Sequence, residues 1–542
     1  MPKSKTALIS LSLFFLFLCI YAVNAFFNYD ASMVNDMVIY LKSAHALLHG
    51  KMTIDYPVYD LLKSHFPDMK QTLTTFILNP AGQQVSIVSI GISMILAPFL
   101  ALFGENAIWI VRIVWDICII SGLFFTVCAF FKESDHRSAW ILALLAIAVY
   151  GTVINFRLTL RRDIACAALT SLATLFSLLG AQKKQSRYWH AALCCLCLTA
   201  TVKITQALLF LPFVLFFVNS YNLKNLRPKP VIINIVVAAM LAALIFTPFC
   251  IQNHVSSGHW YTLPQHAAPV CIDHLVKRTS GSIIAICKAQ AYIYSPKGLP
   301  KWCALPFLAI VIWGMWVQRR SIFVRWWVVP FLLLQYIFMI YWFIPGLDYA
   351  YTYNIYLTPA YSLSVFLFIC GIHSLLERFK HRNALLWFLA AMFLLPFFTV
   401  KIYRSLPQCQ HTQFRLPQVH RLVSDCEAVV PAKSVVLCDL FLCFPLDYFS
   451  NSYYFPPSQL DDSISTIIDK VAFLLTKDIP VYFFDYRGIE GSYTYQPKLE
   501  KAFALTVVKK DQQYYNHPNE FPVPPFSMYR ISEKNRITEG KM

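Results

Sequence analysis

Up to about residue 402 the chain alternates long apolar runs with short polar connectors. The runs lie at roughly 7–27, 85–103, 107–131, 138–156, 163–180, 188–219, 231–250, 302–318, 324–344, 355–376 and 384–402. Most hold about 20 residues, the length at which a helix rising 1.5 Å per residue crosses a hydrocarbon core. Beyond residue 403 the pattern changes. Runs rich in β-formers at 434–440, 481–486, 503–508 and 526–531 flank a helical stretch at 462–475, which predicts a small α/β domain. The expected organisation is therefore a transmembrane domain over 1–402 and a soluble domain over 403–542.

Composition agrees with that division. Hydrophobic residues make up 57% and charged residues 14%, with a mean hydropathy of +0.53. Ordinary globular chains carry about 25% charged residues. A soluble enzyme, a coiled coil and a disordered chain are excluded. The net charge of +18 would suggest a nucleic-acid partner in a soluble protein. Here no nucleic acid is expected. The tail balances 15 basic against 15 acidic residues, so all the excess belongs to the membrane part.

Basic connectors orient a membrane protein, because Lys and Arg stay on the cytoplasmic side. The connectors 132–137, 183–187, 224–229, 319–325 and 378–382, with Lys3 and Lys5, hold 16 of the 31 basic residues before residue 403. All six fall inside only if 85–103 does not cross. Gly82, Gly91 and Pro98 interrupt that run, and Pro98 is expected to break its helix. The run is read as an interfacial or re-entrant segment. The run 188–219 then crosses twice, as a hairpin with Thr201-Val202-Lys203 at a tip sunk below the outer surface. About eleven transmembrane helices result, with the N-terminus inside and three regions outside: 28–106, 251–301 and the tail. Residues 1–27 exceed the usual apolar core of a signal peptide and read as an uncleaved anchor.

Ionisable residues at membrane depth are costly and mark candidate sites. Asp36 follows the first span, with Tyr40 and Ala44 on its helical face. Arg157, Arg161, Arg162 and Asp163 gather at an outward connector, against the positive-inside pattern, and Lys203 sits at the hairpin tip. Together they suggest an outward-facing cavity with one or two carboxylates and several fixed cations. The cations suit a phosphate. A carboxylate suits a general base or a divalent-metal ligand. A lipid-linked phosphate would enter sideways from the bilayer.

Plainer readings stand beside these. Arg157 and Arg161 can snorkel to headgroups, Arg162–Asp163 can be a local ion pair at a helix start, and Lys203 can be a buried structural partner. Arg112 and Asp116, an i,i+4 pair, neutralise each other. His254, His259, His266 and His274 share an outer loop with Cys271 and Asp273, but their spacing matches no familiar metal site. His45 and His49 fit an exposed helix face better than a zinc site. Cys409, Cys426, Cys438 and Cys443 lie where an oxidising exterior permits disulfides.

The first outer loop carries Asp36 followed by Tyr40, Ala44, Leu47, Leu48 and Gly50. Later come Gly82-Gln83-Gln84-Val85-Ser86 and Gly91-Ile92-Ser93-Met94-Ile95-Leu96-Ala97-Pro98-Phe99. These, with Arg112, Leu160-Arg161-Arg162-Asp163, Thr201-Val202-Lys203-Ile204-Thr205, Gln252-Asn253-His254 and Tyr294-Ser295-Pro296, are similar in order and placement to motifs of one superfamily. The chain resembles the polyprenyl-phosphate-sugar-dependent membrane glycosyltransferases of the GT-C fold, which include protein O-mannosyltransferases and lipid A aminoarabinose transferases. The resemblance runs over about residues 7–320. It departs in lacking an adjacent Asp-Glu pair and a Pro-Pro near the juxtamembrane helix.

The resemblance implies a GT-C-like polytopic α-helical fold with an extracytoplasmic C-terminal α/β domain. It implies transfer of a sugar from a polyprenyl-phosphate carrier to a hydroxyl of a lipid, glycan or protein acceptor. Asp36 would be the base, with Asp30 as the alternative acid. Arg161, Arg162 and Lys203 would hold the lipid phosphate, and Asp163 would orient them or ligate a divalent cation. Tyr40 and Asp30 would line the cavity. A bacterial inner membrane is the expected location. A transporter or flippase is the rival reading, weakened by the absence of an internal repeat.

Overall fold

The computed structural model describes residues 5–27, 35–54, 57–67, 72–73, 76–78, 84–86, 90–132, 136–153, 162–221, 228–258, 260, 304–341, 357–405, 416–438, 446–455, 464–486, 495–511 and 526–534. The membrane part runs through α1 (Lys5–Phe27), α2 (Asn35–Leu48), α3 (Pro57–His65), α4 (Gly91–Phe103), α5 (Ala107–Phe131), α6 (His136–Val153), α7 (Arg162–Lys183) and α8 (Ser186–Val202). A 3-10 turn, Ile204–Leu209, leads to α9 (Phe210–Ser220), then α10 (Pro228–Ser257) and α11 (Ala304–Val317). A π-turn, Val324–Val328, opens into α12 (Val329–Tyr341), followed by α13 (Thr358–Leu376) and α14 (Arg382–Ser405). Each apolar run of the sequence falls on one or two of these helices. Among the described residues six stretches are long and apolar enough to cross a membrane: Lys5–Val23, Gly91–Phe131, Arg162–Lys183, Ile232–Ser257, Thr358–Leu376 and Arg382–Thr399.

Small residues set the packing. In membranes helices associate where short side chains let backbones approach. A Cβ on Gly314 of α11 would lie 1.9 Å from the Leu367 carbonyl oxygen of α13, and one on Gly371 2.4 Å from the Ile310 carbonyl. The two helices therefore touch backbone to backbone. On α7, Ala165, Cys166, Ala167, Ala168 and Ser171 are buried, and Gly122 of α5 meets the Ser171 backbone in the same way.

The segment expected to be broken at Pro98 is helical through it. Proline removes one backbone bond, and α4 spans Gly91–Phe103 with Pro98 inside. The break comes at Gly104 instead, whose φ of +54° suits glycine and which starts a 3-10 turn, Gly104–Asn106, before α5. The start of α4 is seated against the end of α8: a Cβ on Gly91 would come within 2.4 Å of Thr201 C and Val202 N.

Three short antiparallel strands, β1 (Thr72–Leu73), β2 (Phe76–Leu78) and β3 (Gln84–Ser86), lie between α3 and α4. The tail adds α15 (Leu416–Glu427), β4 (Val435–Leu437), β5 (Tyr453–Phe455), α16 (Ile464–Thr476), β6 (Val481–Tyr486), α17 (Gln496–Ala502), β7 (Phe503–Asp511) and β8 (Phe526–Glu533). Its sheet has the order β5-β4-β6-β8-β7. β4 pairs in parallel with β5 and β6, and β8 is antiparallel to β6 and β7. All four expected β-runs hold strands. β5, three residues without alternation, escaped the sequence reading.

The tail rests on the segment between α1 and α5. Lys42 of α2 makes an ion pair with Asp447, and His45 Nε2 and Tyr448 Oη are 2.8 Å apart. The His65 ring stacks on Phe473 at 4.0 Å, and His420 Nε2 approaches Glu105 Oε2 at 3.1 Å. Tail residues Cys426 and Cys438 are buried, and burial pushes the Cys426 thiol up to about 12. Cys409 and Cys443 lie outside the described residues.

Candidate active site

α8 stops at Val202. The next residue, Lys203, has extended backbone (φ −148°, ψ 100°), and its N–H still donates to the Thr199 carbonyl at 2.9 Å. This bend turns the Lys203 side chain into the protein, where its Nζ donates to Asp163 Oδ1 at 2.7 Å. Lys203 is 6% exposed and Asp163 4%. Two opposite charges this deep in apolar surroundings survive only as partners. Asp163 is in the first turn of α7, where a carboxylate also meets the positive end of the helix dipole. Arg162 precedes it, half-buried, and its charge bears on Lys203. Among the described residues, two cations thus stand beside one carboxylate.

Polar braces fix this corner. Gly91 of α4 sits against Thr201 and Val202. The Ile90 N–H just before α4 donates to Gln252 Oε1 of α10 at 2.8 Å, and Gln252 Nε2 donates to the Ser86 carbonyl at 3.4 Å. On the other side, the Gln206 N–H donates to the Lys203 carbonyl at 2.8 Å. Gln206 and Gln335 of α12 exchange side-chain amide bonds of 2.8 and 3.3 Å. Lys203 is thus held between α4, α10 and α12. Such second-layer support is what keeps a site in register.

The structure brings Arg162, Asp163 and Lys203 together. Asp36 is in the first turn of α2, without a described side chain, and Asp30, Arg157 and Arg161 lie outside the described residues. Tyr40 is 1% exposed, on the helix that packs against α4. Arg112 Nε and Asp116 Oδ2 are 3.9 Å apart inside α5. His254 stacks on Trp260 at 4.2 Å; His259, His266, Cys271, Asp273 and His274 lie outside the described residues. Among the described residues no three His, Cys, Asp or Glu side chains converge as a metal site. The Gln206–Gln335 pair was missed in the sequence. Its signal was available: two amides inside otherwise apolar runs.

With α4 seated on the end of α8 and the buried Lys203–Asp163 pair beside it, the chain is similar to known proteins. Residues 88–251 match the family model described as dolichyl-phosphate-mannose-protein mannosyltransferase. That segment holds α4, α5, Arg162, Asp163 and Lys203. Across nearly the whole chain the structure is similar to ArnT from Cupriavidus metallidurans in the apo state, with a TM-score of 0.56 at 12% identity, covering 96% of this chain and 98% of that one. The chain has the GT-C fold. The same ArnT bound to undecaprenyl phosphate gives a TM-score of 0.53 at 12% identity, over 96% and 97%. The archaeal oligosaccharyltransferase AglB from Archaeoglobus fulgidus, in complex with an inhibitory peptide and a dolichol-phosphate, gives 0.52 at 11% identity, over 92% and 72%. No curated protein matches the sequence.

Proposed function

We propose that this GT-C protein transfers a sugar from a polyprenyl-phosphate carrier to an acceptor hydroxyl on the extracytoplasmic side of the membrane. The observation that carries this reading is the buried Lys203–Asp163 pair with Arg162 beside it. Fixed cations suit the phosphate of a lipid carrier. The structural neighbours add weight, since one holds undecaprenyl phosphate and another dolichol-phosphate.

The acceptor oxygen attacks the anomeric carbon as its proton passes to the Asp36 carboxylate. The bond from that carbon to the phosphate oxygen breaks, with inversion, and polyprenyl phosphate leaves. Arg161, Arg162 and Lys203 offset the charge that develops on the leaving phosphate. Asp163 keeps Lys203 charged and aimed. A divalent cation, where required, would join Asp163. In this reading eleven helices cross, the N-terminus is cytoplasmic, and the membrane is a bacterial inner membrane.

Mass spectrometry of the lipid that co-purifies with the full chain tests the proposal. A polyprenyl phosphate, or its glycosylated form, is expected. Failure to retain or bind any polyprenyl phosphate would refute it. Movement of that lipid between leaflets without sugar transfer would instead establish a flippase.

A further inference from the structure

The turn between α7 and α8 lies at the far end of α8 from Lys203, about 25 Å away along 17 residues of helix. It presents Lys183, Lys184 and Arg187 as exposed side chains beside a half-buried Tyr188. We propose that this turn binds the headgroup of an anionic phospholipid, with the phosphodiester seated between Lys183 and Arg187. The proposal uses only the membrane-spanning fold and stands apart from the sugar-transfer reading.

Two cations share one ring here. Lys183 Nζ and the Arg187 guanidinium each lie 5.0 Å from the centre of the Tyr188 ring. Lys183 Nζ donates to Tyr188 Oη at 3.1 Å, and Arg187 Nη2 approaches the same oxygen at 3.5 Å. Like charges gathered on one oxygen repel each other. Among the described residues neither meets a carboxylate. The neighbouring sequence supplies none: no Asp or Glu occurs between Asp163 and Asp273, a stretch that holds seven Lys and Arg residues. An anion between the two cations relieves the repulsion, and the two non-bridging oxygens of a phosphodiester can accept from both. Orienting a membrane protein takes only the sign of a connector. Two cations held on one ring go beyond that need.

The turn is also built to stay in place. Lys184 has a φ of +54°, where glycine is usual. Its Nζ donates to the carbonyl of Ser220, the last residue of α9, and lies 5.1 Å from the centre of the Tyr221 ring. Trp189 is buried against Gly180 of α7, and its Nε1–H donates to Tyr221 Oη at 3.0 Å. Gln185 Oε1 accepts from Arg187 Nε at 3.0 Å. The ends of α7, α8 and α9 are thus tied together. Lys184 is committed to the tie, which leaves Lys183 and Arg187 to the ligand.

The surroundings fit a lipid better than a free phosphate. Leu211, Val214 and Val218 form an exposed apolar row on α9 that ends two residues before Ser220. Acyl chains lying along that row bring their phosphate to the level of the turn. Tyr188 and Tyr221 have apolar bodies and polar tips, which suit the headgroup layer. A zwitterionic headgroup adds an ammonium that the two cations repel, so a headgroup of net negative charge is selected.

Native mass spectrometry of the full chain in detergent tests this, with dioleoyl phosphatidylglycerol and dioleoyl phosphatidylcholine as probes. The first phosphatidylglycerol is expected to bind at least about tenfold more tightly than phosphatidylcholine, the scale of one charged hydrogen bond. The combined variant Lys183→Gln, Arg187→Gln should lose at least that factor, and Lys183→Gln alone about fivefold, one basic residue's share near an anionic surface. Lys183→Arg should keep the binding. A control pair, Arg320→Gln with Lys380→Gln, removes the same charge from exposed positions on two other basic connectors and should leave it unchanged. Size exclusion shows that each variant is folded. Equal binding of the two lipids, or unchanged phosphatidylglycerol binding by both Lys183 variants to glutamine, overturns the proposal. An equal loss in the control pair would show diffuse charge in place of a site. Glycerol 3-phosphate binding as tightly as phosphatidylglycerol overturns the lipid assignment.

Discussion

Replacing Lys203 with methionine keeps most of the length of the unbranched side chain and removes its charge. At 2.7 Å the Lys203–Asp163 attraction is about 6 kcal/mol at an effective dielectric of about 20. Much of that is offset by the cost of taking both groups out of water. Removing one partner leaves the other charge buried alone, at a cost of about 3–5 kcal/mol. Lys203→Met should therefore lower the apparent melting temperature in detergent, and Asp163→Asn should do so as well. The double variant leaves no orphaned charge and should recover most of the lost stability, giving a coupling of about 2–4 kcal/mol. Stability and function then separate. If Lys203 holds the carrier phosphate, the double variant melts almost like the wild type yet binds polyprenyl phosphate at least about tenfold more weakly, the loss expected for a charged hydrogen bond. Scintillation proximity with labelled undecaprenyl phosphate measures the second quantity. A stable double variant that binds the lipid as the wild type does would show that Lys203 is only a structural partner.

Other outcomes are expected from the same geometry. Asp36→Asn should cost at least about 100-fold in transfer rate, the low end for a lost general base, with lipid-phosphate binding kept; a chromatographic assay of the glycosylated acceptor measures it. Gly91→Ala puts a Cβ 2.4 Å from the backbone of Thr201 and Val202, so α4 must shift. The overpacking costs about 1–3 kcal/mol, and transfer should fall more than expression, compared by activity per folded protein on size exclusion. Burial, then the neighbouring His49, hold the His45 imidazole below its usual range, against the pull of Glu105. The unfolded chain therefore takes up the proton first. The contribution of His45 to the tail contact is whole above about pH 6.5 and is lost as pH falls through its lowered value. Crosslinking between cysteines placed at positions 46 and 450 should fall off over that window, and a flat profile would remove His45 from the contact.

The sequence was most informative where the bilayer dictates pattern. Apolar length located the helices, and the arginines clustered before α7 pointed to the corner where the described structure joins Lys203 to Asp163 across 40 residues. Asp163 and Lys203 were legible because charge at that depth has few uses. Three features were not. α4 passes through Pro98 because a single missing N–H is tolerable in a helix braced by neighbours, while the turn comes at a glycine that nothing in the run singled out. The exchange between Gln206 and Gln335 needs two helices far apart in sequence to meet, which periodicity cannot report. The contact of α2 with the tail, through Lys42, His45, Asp447 and Tyr448, joins segments about 400 residues apart. His45 and His49 are exposed, as expected of that helix face, but nothing in the local pattern could show that His45 also meets a tyrosine of the distant tail.

The glycines that bring α11 and α13 into backbone contact have a mechanical consequence. With no side chain between them at Gly314 and Gly371, the two helices cannot slide or tilt apart without losing the contact along its length, and no lipid chain can wedge between them. They behave as one stiff lever with two ends. A push on Ala304, where α11 begins, must displace Thr358, where α13 begins, by a similar amount. Any rearrangement during a reaction cycle would then be passed between these points as rigid motion, with the more loosely packed helices around the pair absorbing the strain.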